Sequence, residues 1–115
     1  MKIKDSNITI DVSAIEKSIS FYESIGFTLK KRWNNHYALL IAPGIAIGLH
    51  PTSKSNTPRN SGILSIGFTT EDFEETKIAL KQLGIAVTER TEEGGEFLHF
   101  NDPDGTSLYF IHSKW

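Results

Sequence analysis

Apolar and polar residues alternate near the start of the chain. Ile8, Ile10 and Val12 are separated by Thr9 and Asp11, the period of a strand with one buried face. The period then lengthens: Ile15, Ile19, Tyr22 and Ile25 recur at helical spacing. Ser13-Ala-Ile-Glu16 reads as a capping box, and Gly26 stands where a helix ends in a left-handed residue. A helix over roughly 13–25 is predicted, followed by strands at about 27–31, 36–42 and 45–50, the last two joined by a Pro43-Gly44 turn.

The polar stretch from His50 to Ser61 carries Pro51 and Pro58 and reads as a linker. The pattern then begins again. Leu64, Ile66 and Phe68 alternate with Ser65 and Gly67, and Thr69 or Thr70 is placed to cap a second helix. Its first turn is acidic (Glu71, Asp72, Glu74, Glu75), which suits the positive end of the helix dipole. Phe73, Thr76, Leu80 and Leu83 form the expected inward stripe, Gly84 ends the helix, and strands follow at about 85–90, 96–100 and 106–112. Glu92, Glu93 and Glu96 bracket Gly94-Gly95 as a solvated hairpin.

The two halves match in order. Ile8-Thr-Ile-Asp-Val12 aligns with Leu64-Ser-Ile-Gly-Phe68, Ile25-Gly-Phe27 with Leu83-Gly-Ile85, and Pro43-Gly44-Ile45 with Asp104-Gly105-Thr106. The repeat of roughly 56–61 residues is a duplicated supersecondary unit, not a solenoid. The reading is one α+β domain over 1–115 built from two tandem β-α-β-β-β modules: module one about 1–50, a linker about 51–61, and module two about 62–115. Either module alone has too little core to fold.

Composition narrows the function. Twelve basic and 14 acidic side chains leave a net charge of −2 with no basic stripe, so nucleic acid is not an expected partner. There is no cysteine, which removes disulfides, thiolate metal sites and cysteine nucleophiles. No apolar stretch approaches a membrane span and the start lacks a secretory signal, so the expected location is the cytoplasm. Dinucleotide, P-loop, serine-hydrolase and His-Glu-x-x-His motifs are all missing.

The segment Asn7-Ile-Thr-Ile-Asp-Val-Ser-Ala-Ile-Glu-Lys-Ser-Ile-Ser-Phe-Tyr-Glu-Ser-Ile-Gly-Phe27 resembles the opening of the vicinal-oxygen-chelate superfamily. Phe100-Asn-Asp-Pro-Asp-Gly-Thr-Ser-Leu-Tyr-Phe110 resembles that superfamily's most recognisable C-terminal motif. The group includes glyoxalase I, extradiol dioxygenases, fosfomycin-resistance enzymes and bleomycin-resistance proteins. The resemblance covers both modules, and implies mixed sheets forming a half-open barrel around a cleft. The Asp-Pro-Asp-Gly motif itself reads as a turn, with Asp102 and Asp104 bonding nearby amides.

In metal-using members, four His or Glu side chains from the first and last strand of each module hold one divalent ion. That ion chelates two substrate oxygens and stabilises their developing charge. The resemblance places Asn7, Gly48, Ile63 and Tyr109 at these positions. Glycine and isoleucine offer no ligand atom, neutral Asn is a poor ligand and Tyr an unusual one. No metal and no other cofactor is therefore expected. Of the four histidines, His50 shares the phase of Gly48, and His112 points away from the cleft. The faces taken by His36 and His99 are open. A rebuilt metal site would draw on His50, His99 and Asp11.

Strand phase puts Ile8, Ile10, Val12, Ile47, Leu49, Leu64, Ile66, Phe68, Leu108 and Phe110 under the helices. The opposite face carries Asn7, Thr9, Asp11, Ala46, Gly48, His50, Ile63, Ser65, Gly67, Ser107, Tyr109 and Ile111. Small residues beside a few polar groups suit a small-molecule pocket, and Gly48 and Gly67 mark close approach by a ligand or by packing. The candidate ligand-binding residues are Asn7, Thr9, Asp11, Gly48, His50, Ser65 and Tyr109, with Trp33 to Tyr37 on the rim. Asp11, a carboxylate on a partly dry face, is the candidate general base.

The expected function is metal-independent binding of a small molecule in the inter-module cleft. One alternative is a lyase or dioxygenase-type enzyme with relocated ligands or Asp11 as base. Another is a structural or partner-binding module whose cleft is filled by Tyr109 and its apolar neighbours. The resemblance implies a homodimer, with modules paired inside one chain or exchanged between two.

Overall fold

The first alternating stretch forms β1 (Ile8–Val12), and its inward residues Ile10 and Val12 are buried. The computed structural model describes residues 1–52, 64–92 and 95–113. It divides into two compact units, Met1–Asn60 and Ser61–Trp115. In the first, β1 leads into α1 (Ile15–Ser24), β2 (Thr28–Trp33), β3 (Tyr37–Ala42) and β4 (Ile45–Pro51). The second runs β5 (Ser65–Thr69), α2 (Phe73–Gln82), β6 (Thr88–Glu92), β7 (Gly95–Asn101) and β8 (Ser107–Ser113). The fold is the expected α+β pair of β-α-β-β-β modules. Their sheets are ordered β1-β4-β3-β2 and β5-β8-β7-β6.

Each sheet is mixed for the same reason. Short turns make the last three strands an antiparallel meander, whereas the helical crossover brings the first strand back parallel to the last. In the first unit Ile10 lies opposite Leu49, Ala38 opposite Leu49 from the other side, and Leu40 opposite Ile47. These side chains are buried beneath α1, whose Ile15, Ile19 and Tyr22 form its inner stripe. Fully buried Leu40, Ile47 and Leu49 each contribute roughly 1.5–3 kcal/mol. Tyr22 meets Phe27 edge-on at 5.4 Å, just past Gly26, whose φ of +116° lets the chain leave the helix and fold back. In the second unit Ile66, Leu98, Phe100 and Leu108 are buried with Phe73 and Leu80 of α2.

Several local details differ from the sequence reading. Ala14, not Ser13, takes the cap position of α1, with no side-chain cap bond; Glu16 pairs instead with Arg32 of β2. The hydrogen bond and charge of that guanidinium hold the Glu16 carboxyl below its ordinary value. Asp72, not a threonine, caps α2: its Oδ1 accepts the amide of Glu75 at 2.9 Å, three residues on. Thr70 sits just outside, its hydroxyl accepting the Asp72 amide at 3.2 Å and meeting the Thr76 hydroxyl at 2.7 Å. Leu83, expected in the inward stripe, falls at the C-cap of α2 and is 48% exposed. Ile8, expected under a helix, is 39% exposed as the first residue of its strand. Pro51 belongs to β4, opposite Val12, and Thr52 donates to the Val12 carbonyl at 3.0 Å, so the first module runs past the expected linker start. The rest of that linker, and residues 93 and 94 of the expected hairpin, lie outside the described residues.

The Asp-Pro-Asp-Gly segment is a turn built on one buried carboxylate. Asp102 Oδ1 accepts the amides of Asp104 at 2.9 Å and Thr106 at 2.8 Å, and its own amide donates to the Thr106 carbonyl at 2.9 Å. Asp102 is 5% exposed. Asp102→Ala leaves the Thr106 amide buried without its acceptor and is expected to cost roughly 2 kcal/mol; Asp102→Asn, which keeps an acceptor oxygen, should cost under about 1 kcal/mol by urea unfolding. Ser18 on α1 is fully buried, and its hydroxyl has no hydrogen-bond partner. Ser18→Ala removes an unmet polar group and is expected to gain roughly 1 kcal/mol in the same assay.

Candidate functional site

Each sheet turns its second face away from its helix, and strand period assigns the residues on it. In the first unit Thr9 lies opposite Gly48 and Asp11 opposite His50, while Leu39 flanks Gly48 from β3. Lys31 and Trp33 of β2 continue the same face through their pairing with Leu39 and Tyr37. Gly48 is buried because the Tyr37 ring lies across it; a Cβ there would run into the ring and its hydroxyl and come within 2.9 Å of Thr9 Oγ1. The Tyr37 hydroxyl bonds Thr9 Oγ1 at 2.7 Å and accepts from Asn7 Nδ2 at 3.1 Å, and the same Nδ2 reaches Thr9 at 3.2 Å. Tyr37 thus gathers Asn7, Thr9 and Gly48 into one cluster. Trp33 packs against Tyr37 at 5.5 Å, with the Lys31 ammonium 4.9 Å from the indole centroid.

Asp11 and His50 form a second group. The Asp11 carboxylate stands 3.4 Å from His50 Nδ1, with the two side chains 58% and 56% exposed. The candidate base therefore sits in solvent near the end of β1 beside an imidazole, not on a partly dry surface.

In the second unit the corresponding face is more aromatic. The Tyr109 ring covers Gly67, and Phe97 and His99 complete a cluster with centroid separations of 5.6–5.8 Å. Phe97 and His99 are nearly parallel, at 14°. His99, whose face was open in the sequence, pairs with Tyr109 and Thr88 and so shares their side. His112 lies opposite Glu96 in the other phase, and His36 is exposed in the β2–β3 turn. Ser65 and Ser107 face each other with hydroxyls 3.2 Å apart. Where β6 and β8 begin and β7 ends, a groove of about 270 Å³ is lined by Ala86, Val87, Thr88, His99, Phe100, Asn101 and Ser107.

Gly48 and Gly67 each make room for a tyrosine of their own unit. Sequence pattern alone points to Gly48 and Tyr109, sets Tyr37 only on the rim, and gives no sign of Phe97 or Asn101. A signal for Tyr37 existed: the tight turn at Pro43-Gly44 sets Leu39 opposite Gly48, which places Tyr37 two residues along the same face.

The residues at the superfamily's metal positions do not fit an ion. Asn7 is engaged with Thr9 and Tyr37, Gly48 has no donor atom, Tyr109 lies on Gly67, and Ile63 is outside the described residues. Asp11 and His50 stand together in the first unit, whereas His99 belongs to the second. Among the described residues no group of three or more His, Cys, Asp or Glu could hold a metal.

Residues 6–110 match the family model of the Glyoxalase/Bleomycin resistance protein/Dioxygenase superfamily. The chain belongs to this superfamily. Its fold recurs in FosX, a genomically encoded fosfomycin resistance protein from Listeria monocytogenes, at a TM-score of 0.82 and 19% identity, covering 99% of this chain and 94% of that one. A glyoxalase family protein from Enterococcus faecalis superposes at 0.77 with 21% identity over 95% and 97% of the two chains. A bleomycin-binding protein solved with bleomycin does so at 0.73 with 20% identity over 97% and 100%. At these identities the likeness is one of fold. No helix among the described residues is long and apolar enough to cross a membrane.

Gly48→Ala tests the tyrosine cluster. The variant is expected to fold, lose roughly 1–2 kcal/mol, and swing Tyr37 off Thr9, shifting the indole N–H resonance of Trp33. An unmoved Trp33 signal would show that Tyr37 does not depend on the bare Gly48 surface.

Proposed function

We propose that this superfamily member is a metal-independent small-molecule-binding domain that sequesters or senses its ligand. The observation carrying this reading is that three of the four positions matched to metal ligands involve a tyrosine, each within its own unit: Asn7 and Gly48 lie against Tyr37 in the first, and Tyr109 itself stands at the last-strand position of the second, over Gly67. Beside the Asp11–His50 pair and the Lys31 ammonium, the helix-free faces present chiefly neutral polar groups and aromatic rings, a composition suited to an organic molecule. That a protein of the same fold was solved with bleomycin supports an organic ligand. The proposed contact residues are Asn7, Thr9, Asp11, Gly48, His50, Ser65 and Tyr109. The domain is proposed to work as a homodimer in the cytoplasm, in keeping with a chain that has no cysteine.

Two measurements test this. Elemental mass spectrometry after incubation with zinc, nickel, manganese or iron should find near-zero metal per chain; one tightly held ion per chain would overturn the metal-independent reading. In a thermal-shift screen of planar drug-like compounds, bleomycin included, a true ligand at about 100 times its Kd adds about 2.7 kcal/mol and should raise Tm by roughly 10 °C. A screen in which no compound moves Tm would count against a binding function.

A further inference from the structure

We propose that the groove at the end of the second module's sheet is a binding site in its own right, for a small uncharged planar ring bearing an amide-like edge. The proposal rests on the small-molecule reading above, and names a place and a chemical class for it.

Strand register creates the site. Thr88 lies opposite His99 and Asn101 opposite Ser107, so the start of β6, the end of β7 and the start of β8 bring three neutral polar side chains and an imidazole to one spot. The loop residues Ala86 and Val87 close its side. None of the seven lining residues is Asp, Glu, Lys or Arg. At a pH where imidazole is neutral, an ion entering the groove finds no counter-charge among these residues, whereas an uncharged molecule with donors and acceptors finds both in Thr88, Asn101 and Ser107.

Size and shape narrow the class further. A volume of about 270 Å³ corresponds to roughly nine waters at ~30 Å³ each, room for one ring and a substituent. His99 supplies a surface for that ring. Phe97, nearly parallel at 5.7 Å, and Tyr109 at 5.6 Å fix the imidazole plane, so a flat ligand meets a wall already held in place.

The probe is nicotinamide, a single ring with a carboxamide, titrated into the ¹⁵N-labelled full chain, with nicotinate as the charged counterpart. Nicotinamide should shift the amides of residues 86–88, 99–101 and 107 in a saturable way with a Kd of roughly 1 mM, as expected for so small a ligand. At about pH 8.5, where imidazole is neutral, nicotinate should bind at least roughly fivefold more weakly. Asn101→Ala and Ser107→Ala should each weaken nicotinamide binding by roughly fivefold while leaving the rest of the spectrum in place. Nicotinate binding as tightly as nicotinamide would overturn the chemical class. Shifts confined to the Thr9 and Tyr37 region would overturn the groove while leaving the small-molecule reading intact. Silence toward nicotinamide together with silence in the thermal-shift screen would remove both.

Discussion

Both modules hang on the parallel register between their first and last strands. With Ile10 opposite Leu49 and Ile66 opposite Leu108, the branched side chains of each pair go under a helix and their neighbours go to the other face. A slip of one residue would exchange the two faces along the whole strand, burying Thr9 and Asp11 and exposing Ile10 and Val12. The core therefore specifies the chemical face as firmly as it specifies itself. Residues that contribute little to burial, such as Ser65 and Ser107, are carried into position by neighbours that contribute a great deal.

The modules are duplicates in backbone and opposites in detail. At the equivalent last-strand position one carries Gly48 and the other Tyr109. In the first module the tyrosine over the glycine comes from β3; in the second it comes from β8 and covers a glycine of β5. Both arrangements fill the space above a bare strand with an aromatic ring. One leaves a hydroxyl bonded to Thr9 and Asn7, the other a ring packed with Phe97 and His99. Neither offers the converging charged or imidazole ligands that a divalent ion requires.

Charge is used on the opposite side of each sheet. Glu16 of α1 pairs with Arg32 of β2, and Lys77 of α2 pairs with Glu89 of β6 at 3.2 Å, so the same helix-to-strand joint recurs with its polarity exchanged. The hydrogen bond it donates to Glu89 holds the Lys77 ammonium above its ordinary value, as the Arg32 guanidinium holds Glu16 below its own. Such exposed pairs add little stability. Among the side chains described, their placement leaves the helix-free faces chiefly to neutral polar and aromatic groups, alongside the charged Asp11 and Lys31 of the first unit and Arg90, opposite Phe97, of the second.

Local chemistry along the chain was enough to determine the duplication, the two helices, their glycine ends, the phases of β1, β4, β5 and β8, and the Asp102 turn, whereas the strand expected over 85–90 forms only from Thr88. Each depends on residues a few positions apart, and the alternation of Ile8 to Val12 or the run Asp102-Pro-Asp-Gly105 carries that information within itself. Long-range pairing decided the rest. The side taken by His99 follows from its register against Tyr109, and the ring above Gly48 comes from a neighbouring strand. The cap of α2 fell to Asp72 over two nearby threonines because only its carboxylate stands at the start of the helix, in line with the Glu75 amide. The groove beside His99 draws on three strand ends and a loop. A one-dimensional pattern shows which face a residue takes within its own strand; which residues of other strands meet it there is set only when the backbone hydrogen bonds between strands choose a register.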